Sequence, residues 1–511
     1  MFTSKPKIRT RTVAVTVKKP TSGSTSATNP SSNSIRKPGA IPTPQNRYNL
    51  TPSNKVRTPA TQPREPARQS LSVSNTNQRK RKVTPSTPQW ASSSDESSDD
   101  EDAGSRKRQK TSSSIEPMIH NRCLEPDLQR RIRIEEPDAR RQDNGSATSA
   151  TGEKRRTSMD GKLVHGLQMS RGEWAKDFKP AFPGAGENLQ VKLQYPSNSR
   201  PERFETVIPY DNSNFNPLDD IYFCMEEMVQ HYLPSDLSAS LSSEIDGPVR
   251  LLKRAVAKNS PQDFEAALND FNALIGKKLE DKTITKVLDA IHAIPLSLTK
   301  RILAQVYQRT VSPYAHLLRK VKGKETTYGE LLPAFAHTIF QQTSLNSKSV
   351  FVDLGSGVGN VVLQSALQTG ADSWGIEIMD NPAKYAIRQA SELRARSKLW
   401  NISLGPITLQ HGDFLDSAEV DDALRRADVV LCNNKVFPQK MNVALLDKFL
   451  DLKKGAKIVS LASFVGGGAR QGVRNEHSVA SLFKEERFDS GTYSVSWTGE
   501  SVEYFITTKV I

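Results

Sequence analysis

Cysteine is nearly absent from this chain: Cys123, Cys224 and Cys432 are the only three in 511 residues, far apart and without C-x-x-C or His-paired spacing. That spacing supports neither a disulfide framework nor a zinc site, and a reducing compartment with no bound metal is expected. Long apolar runs are missing too. None approaches the roughly 18 residues needed to span a bilayer, and Met1–Pro20 lacks the apolar centre of a secretory signal, so a soluble intracellular protein without membrane contact is expected. Acidic side chains are absent from the first 50 residues, which carry nine basic ones.

The charge that is present is unevenly shared. Residues 1–170 hold 31 Lys and Arg against 16 Asp and Glu, and the remainder balances at 40 against 40, so the whole formal excess of +15 lies in the first third. That third is rich in Ser, Thr, Pro, Asn and Arg and poor in aromatics. It has too little apolar surface to offset its ordering entropy, which predicts a disordered basic tail suited to a polyanion such as DNA. Arg79–Lys82 and Arg106–Arg108 with Lys110 bracket an acidic serine run, Ser94–Asp102. The basic clusters read as a nuclear address, and the acidic run as a kinase target, a histone-contacting patch or a solvated spacer. Glu125–Glu136 reads as an amphipathic patch suited to folding on a partner.

Order is expected from about Gly172, in two parts. Residues 171–325 form a mostly helical module: a small hairpin, Gln190–Tyr195 with Arg203–Ile208, precedes four helical patterns, Leu218–Leu233, Pro261–Ile275, Asp281–Ile294 and Leu298–Val321. Ser260-Pro261 marks the start of the second of these helices. Residues 326–511 alternate strands and helices. Candidate strands are Ser349–Leu354, Ser373–Glu377, Ile407–Gln410, Asp428–Cys432 and Lys457–Ala462, followed by a hairpin from Thr492–Trp497 and Val502–Lys509. Repeated βα units imply an α/β doubly wound parallel sheet with ligands at the carboxyl ends of its strands, closed here by an antiparallel hairpin.

Phe351–Asn360 carries the chemistry. A buried strand runs into Gly355, Gly357 and Gly359, which tolerate positive φ and hold no Cβ against a ligand, and an apolar helix follows. Glu377 ends the second strand at the distance where a carboxylate accepts ribose hydroxyls, a spacing that serves NAD and S-adenosylmethionine alike. Three details favour the methyl donor: G-x-G-x-G spacing, Asp353 placed to meet an ammonium group, and His411-Gly-Asp-Phe414, with a carboxylate for an adenine amino group and a ring for stacking. After the fourth strand comes Asn433-Asn-Lys-Val-Phe437. An amide there suits an incoming nitrogen, and Phe437 suits a channel wall; methyl transfer then gains mainly from positioning a neutral amine and excluding water.

Tyr328-Gly-Glu330, Val352–Asn360, Gly375–Ile378, Gly412–Phe414, Asn433-Asn434 with Phe437, and Ser494–Gly499 through Tyr504 together resemble the disruptor-of-telomeric-silencing family, the histone methyltransferases without a SET domain, in a fungal-like long form. The resemblance covers roughly residues 190–511. It implies a class I S-adenosylmethionine-dependent methyltransferase that modifies lysine seventy-nine of histone H3 in the nucleosome, is nuclear and monomeric, and serves chromatin silencing and the DNA damage checkpoint. Other histones and ubiquitin are further candidate contacts, with nucleosomal DNA taken by the tail. Carried over by position, Asp353, Gly355, Gly357, Gly359, Asn360, Glu377, Asp413 and Phe414 hold the cofactor, and Tyr328 and Glu330 belong to a loop closing over it. Asn433 stands beside the transferring methyl, and Phe437, Trp497 and Tyr504 line the lysine channel. Leu331 departs from a polar position of some relatives and is left outside the site; Lys435 and Val436 replace an aromatic and a small residue. Two rival readings stand beside this one. A methyltransferase of nucleic-acid bases or glutamine commonly shows Asn-Pro-Pro-aromatic at the fourth strand, and the prolines are absent here; a catalytically silent chromatin-binding relative is the other.

Overall fold

The computed structural model describes residues 122–134, 163–184, 186–211, 215–319, 329–466 and 479–511. The two basic clusters, the acidic serine run and Tyr328 lie outside the described residues.

A short helix α1 (Gly166–Met169) leads into two small antiparallel ribbons. In one, β1 (Phe178–Pro180) pairs with β4 (Val207–Pro209); in the other, β2 (Gln190–Leu193) pairs with β3 (Glu202–Glu205). The helical module follows as α2 (Pro217–Tyr232), α3 (Ser235–Leu241), α4 (Pro248–Ala257), α5 (Pro261–Glu280), α6 (Thr283–Ala290) and α7 (Leu296–Thr310). Asn216 and Ser260 cap α2 and α5, each with Pro at the first helical position, so the start expected at Ser260-Pro261 is found there. Six helices stand where four were expected. The short α3 was missed, and so was α4, although its Gly-Pro start and its stripe of Val249, Leu252, Ala255 and Val256 mark an amphipathic helix.

Helix α8 (Pro333–Thr343) precedes the main sheet: β5 (Val350–Leu354), α9 (Asn360–Gln368), β6 (Asp372–Glu377), α10 (Asp380–Leu399), β7 (Ile407–His411), α11 (Ala418–Arg426), β8 (Val429–Cys432), α12 (Gln439–Lys448), β9 (Lys457–Ser460), β10 (Phe483–Asp489) and β11 (Glu503–Lys509). The strand order is β10-β11-β9-β8-β5-β6-β7, with β5 to β9 parallel and β10 and β11 antiparallel to their neighbours. Order reverses between β5, β6 and β8, which opens a crevice at their carboxyl ends. This is the expected doubly wound sheet closed by a terminal antiparallel hairpin. The hairpin's first strand lies at 483–489, not at 492–497 as expected. Gly491 and Tyr493 both take positive φ (79° and 54°), which breaks an extended run, and 490–502 forms the connecting loop instead. No described helix is long and apolar enough to cross a membrane.

One apolar cluster runs from Phe204, Tyr232 and Ile302 of the module to Leu393 and Trp400 of the sheet domain. Trp400 is the joint: its indole N–H donates to Gln305 Oε1 (2.9 Å) and its carbonyl accepts from the Tyr232 hydroxyl (2.7 Å). Around it lies a fully buried ionic group. Glu202 accepts from Arg309 and Arg396 (2.8 and 2.9 Å), Arg309 and Arg301 also meet Asp220, and Arg396 meets Glu392.

Residues 122–134 extend the described core upstream of the boundary expected at 170. Of the patch expected to fold on a partner, the described residues 125–134 pack on their own chain: Ile132 is buried, and Arg130 is 7% exposed.

Burial pushes the Glu202 carboxyl up, but Arg309 and Arg396 outweigh it and hold it down at about 2. A depressed carboxylate contributes stability that is present above its unfolded value and lost as pH falls toward about 2. Glu202→Gln leaves two buried guanidiniums short of a partner and is expected to cost about 3–5 kcal/mol in urea unfolding at pH 7, with the gap to the unaltered chain closing on acidification. An equal cost at pH 7 and pH 3 would refute the ionic account.

Candidate functional site

The glycine turn is set by the end of β5. Gly355, Gly357 and Gly359 have φ of 86°, 57° and 83°, a left-handed sequence that side chains resist, and the N–H groups of Gly355 and Ser356 both donate to Ile376 O on β6. The turn therefore folds back onto the neighbouring strand. Glu377, next along β6, accepts from Gly357 N through Oε2 and from Met379 N through Oε1, both at 2.8 Å. A carboxylate has about four acceptor positions, so about two remain for a ligand's hydroxyls.

These groups face a cavity of about 600 Å³ at the carboxyl ends of β5, β6, β7 and β8. Asp353, Gly355, Gly357, Asn360, Glu377, Asp413, Phe414, Asn433, Phe437, Trp497 and Glu330 all line it. Gly359 does not. It caps α9, where a Cβ would sit 3.4 Å from Ala386 and Leu409, so its part is in the turn. Phe414 and Phe437 stack at 6.0 Å and 29°. Tyr504 departs from the expected channel wall: it is 1% exposed, donates to Gln342 Oε1 and stacks on Phe488, because β11 turns its side chain toward α8 and the core.

The two asparagines divide their work. Asn434 is buried and structural, with Oδ1 accepting from Leu461 N and Ala462 N and Nδ2 donating to Ala462 O and Asn442 Oδ1. Held this way it fixes the turn after β8, and Asn433 is left half-buried at the cavity.

Glu330 is held from two sides. Its carboxylate accepts from the Tyr307 hydroxyl of α7 (3.1 Å), and its backbone pairs with Ser496 through Glu330 N to Ser496 Oγ and Ser496 N to Glu330 O (both 2.9 Å). Trp497 lies so close over Gly329 that a Cβ there would meet its ring at 2.6 Å. Residues 329–330 and 496–497 thus form one zipped unit at the cavity. Sequence reasoning left Leu331 out, yet it lines the cavity as an apolar wall, as do Ile378 and Met379, with Lys435 also on its lining. Only position within the strand-end pattern could have signalled them.

Three observations fit the cavity to S-adenosylmethionine. Ser356 Oγ and Asn360 Nδ2, beside the glycine turn, are buried and have no partner among the described residues. Asp353 is 5% exposed, and burial with the adjacent Glu377 charge pushes its carboxyl up to about 8; burial raises Glu377 as well. Paired buried carboxyls of this kind are relieved by a cationic ligand.

The chain has well-matched relatives. The family described as "Histone methylation protein DOT1" matches residues 307–509. A histone-lysine N-methyltransferase specific for H3 lysine 79 from Aspergillus fumigatus is 41% identical over 426 residues, 83% of this chain and 80% of that one. One of the same description from Emericella nidulans is 43% identical over 348 residues, 68% and 70% of the two chains. A solved RNA methyltransferase from Salinibacter ruber in complex with S-adenosyl-L-homocysteine is 19% identical over 34% of this chain and 89% of that one, with a TM-score of 0.22.

For a carboxyl raised on folding, the stability contribution is intact below its unfolded value and is lost as pH rises through about 8. Asp353→Asn is therefore expected to raise the melting temperature of the ligand-free protein at pH 9 relative to pH 6, while weakening S-adenosylmethionine binding by at least about tenfold in calorimetry, the scale of a buried charge partner. A variant with unchanged affinity would remove Asp353 from the site.

Proposed function

The chain belongs to the DOT1 histone methylation family, and from that membership and the cavity's geometry we infer that it is a histone-lysine N-methyltransferase acting on lysine 79 of histone H3. The enzyme uses S-adenosylmethionine. Its substrate is histone H3, which implies a chromatin location. The observation that carries the reading is the convergence of Asp353, Glu377, Asp413 and Asn433 from four neighbouring strand ends on one cavity.

Bound there, the cofactor supplies an electrophilic methyl group on a sulfonium. Glu377 would accept the ribose hydroxyls, Asp413 and Phe414 would take the adenine edge and face, and Asp353 with Glu330 would meet the charged amino-acid end. Asn433 would accept a hydrogen from the incoming lysine nitrogen and so orient its lone pair. Trp497 and Phe437 would wall the approach and exclude water. No strong base is needed beside the nitrogen, since a neutral amine held in line reacts by positioning. These roles are supported by placement and by the unpartnered polar atoms at the turn.

The basic excess of residues 1–170 supports contact with nucleosomal DNA, with release of counterions, and the two basic clusters support nuclear import. The enzyme would act as a monomer.

Gly357→Arg is expected to abolish S-adenosylmethionine binding, and Asn433→Ala to lower kcat by about a hundredfold with cofactor affinity kept, the range for one oriented catalytic group. Mass spectrometry of recombinant nucleosomes reads the product, and preferential labelling of naked DNA or RNA would support the rival substrate class. Deleting residues 1–121, which spares 122–134, is expected to weaken nucleosome binding and flatten its salt dependence. An unchanged slope would make the basic segment a spacer.

A further inference from the structure

Helix α9 carries the cofactor turn at its first residue, and its last turn ends deep in the protein. The last four carbonyls of a helix lack intrahelical partners and must be satisfied from elsewhere. Here all four are. Ser365 O accepts from Thr369 N and Oγ1, and Ala366 O accepts from Gly405 N. Leu367 O and Gln368 O both accept from one side chain, Arg130, at 2.7 Å each. The same guanidinium reaches Ser403 O at 2.9 Å.

Arg130 arrives from outside the sheet domain, on residues 122–134. That segment is fastened at both ends. Upstream, Arg122 O accepts from Leu296 N at the start of α7, Asp127 N donates to His292 O, and the Asp127 carboxylate accepts from Ser347 N and Oγ (3.0 and 2.6 Å). Downstream, Ile132 O accepts from Ser403 N (2.7 Å), and Arg133 pairs with Asp289 (2.6 Å). Gly370, with φ of 77°, leaves the channel through which Arg130 passes; a Cβ there would meet Arg130 Nε at 2.7 Å. Burial lowers the guanidinium to about 10, so it stays charged at neutral pH. A cation at a helix C-terminus is favourable, and a planar fork suits two adjacent carbonyls better than an ammonium does.

All nine residues of α9 are buried, so the helix is a packed rod of about 13 Å, at roughly 1.5 Å per residue. Its first residue, Asn360, lines the cavity with Nδ2 unpartnered among the described residues, and Gln389 ties Val358 O and Asn360 Oδ1 to α10. Displacing the far end therefore displaces the turn that receives the ligand.

We propose that Arg130 is a positioning residue for the cofactor site, and that residues 122–134 are a strap that delivers it, so that the segment joining the basic tail to the core sets the register of the glycine turn. The inference rests on reading the cavity as the S-adenosylmethionine site and deepens that reading.

The test compares the full-length unaltered chain with Arg130→Met and Arg130→Lys. S-adenosylhomocysteine binding is measured by calorimetry, nucleosome kinetics give KM and kcat, and hydrogen exchange is followed over residues 355–370. Arg130→Met is expected to raise the Kd and the cofactor KM by about tenfold, within the usual range of coupling between linked sites, with kcat at saturation within about twofold. Exchange should quicken at the glycine turn as well as in the last turn of α9, and Arg130→Lys should recover part of the loss. A folded Arg130→Met with unchanged Kd, or faster exchange confined to the last turn, would reduce Arg130 to a stabilising contact and overturn the proposal. Should Arg130→Met not fold, Arg130→Lys decides: weakened ligand binding supports the strap, and unaltered binding overturns it. Failure of the unaltered chain to bind the ligand would instead sink the reading of the cavity.

Discussion

The Glu377 carboxylate is the constraint on which the site depends. Its two oxygens take the N–H of Gly357 from the β5 turn and of Met379 from the start of α10, so one side chain joins two strand ends into a single rim. Without it, the left-handed glycine run would have no anchor on the neighbouring strand beyond two backbone bonds to Ile376. The same carboxylate is raised by burial, and so is Asp353 next to it, where charge repulsion adds to desolvation. Two acids that resist ionisation in the free protein make a cavity that gains from a cation. Stability is held back at the place where binding releases it.

The rest of the architecture keeps that rim in place. The helical module shares an apolar cluster with the sheet domain, and the buried Glu202, Arg309 and Arg396 group fixes how they meet. Tyr307 reaches from α7 to Glu330, and Glu330 is zipped to Ser496 beside Trp497. The helical module thus buttresses the zipped pair of segments that lines the cavity. Asn434 plays the matching part after β8, its amide taken up by the Leu461 and Ala462 backbone and by Asn442 Oδ1, while Asn433 lines the cavity.

Much of this was legible in the sequence where a local rule has one solution. Glycine at 355 and 357, an acid at 377 and Asp413-Phe414 follow from a strand, a turn and fixed βα spacing, and the structure gathers them around one cavity. Tertiary facts were not legible. Nothing in the string tells Asn433 from Asn434, because the difference lies in the Leu461 and Ala462 amides that claim one of them. Tyr504 reads as a channel aromatic, but the partner that turns it inward, Gln342, is 162 residues away in the chain. The hairpin moved because Tyr493 takes a left-handed backbone that propensity disfavours. Residues 122–134 looked like part of a polar tail because their composition is polar; burial of Arg130 depends on carbonyls more than 230 positions on.

The central claim is that these strand ends grip a sulfonium nucleoside and present its methyl group to a lysine nitrogen. Crystals of the protein grown with S-adenosylhomocysteine test it most directly. The account requires ribose hydroxyls on Glu377, the adenine between Asp413 and Phe414, and sulfur facing Asn433 and Trp497. Density for the nucleoside at any other place, or none despite saturating ligand, would contradict it.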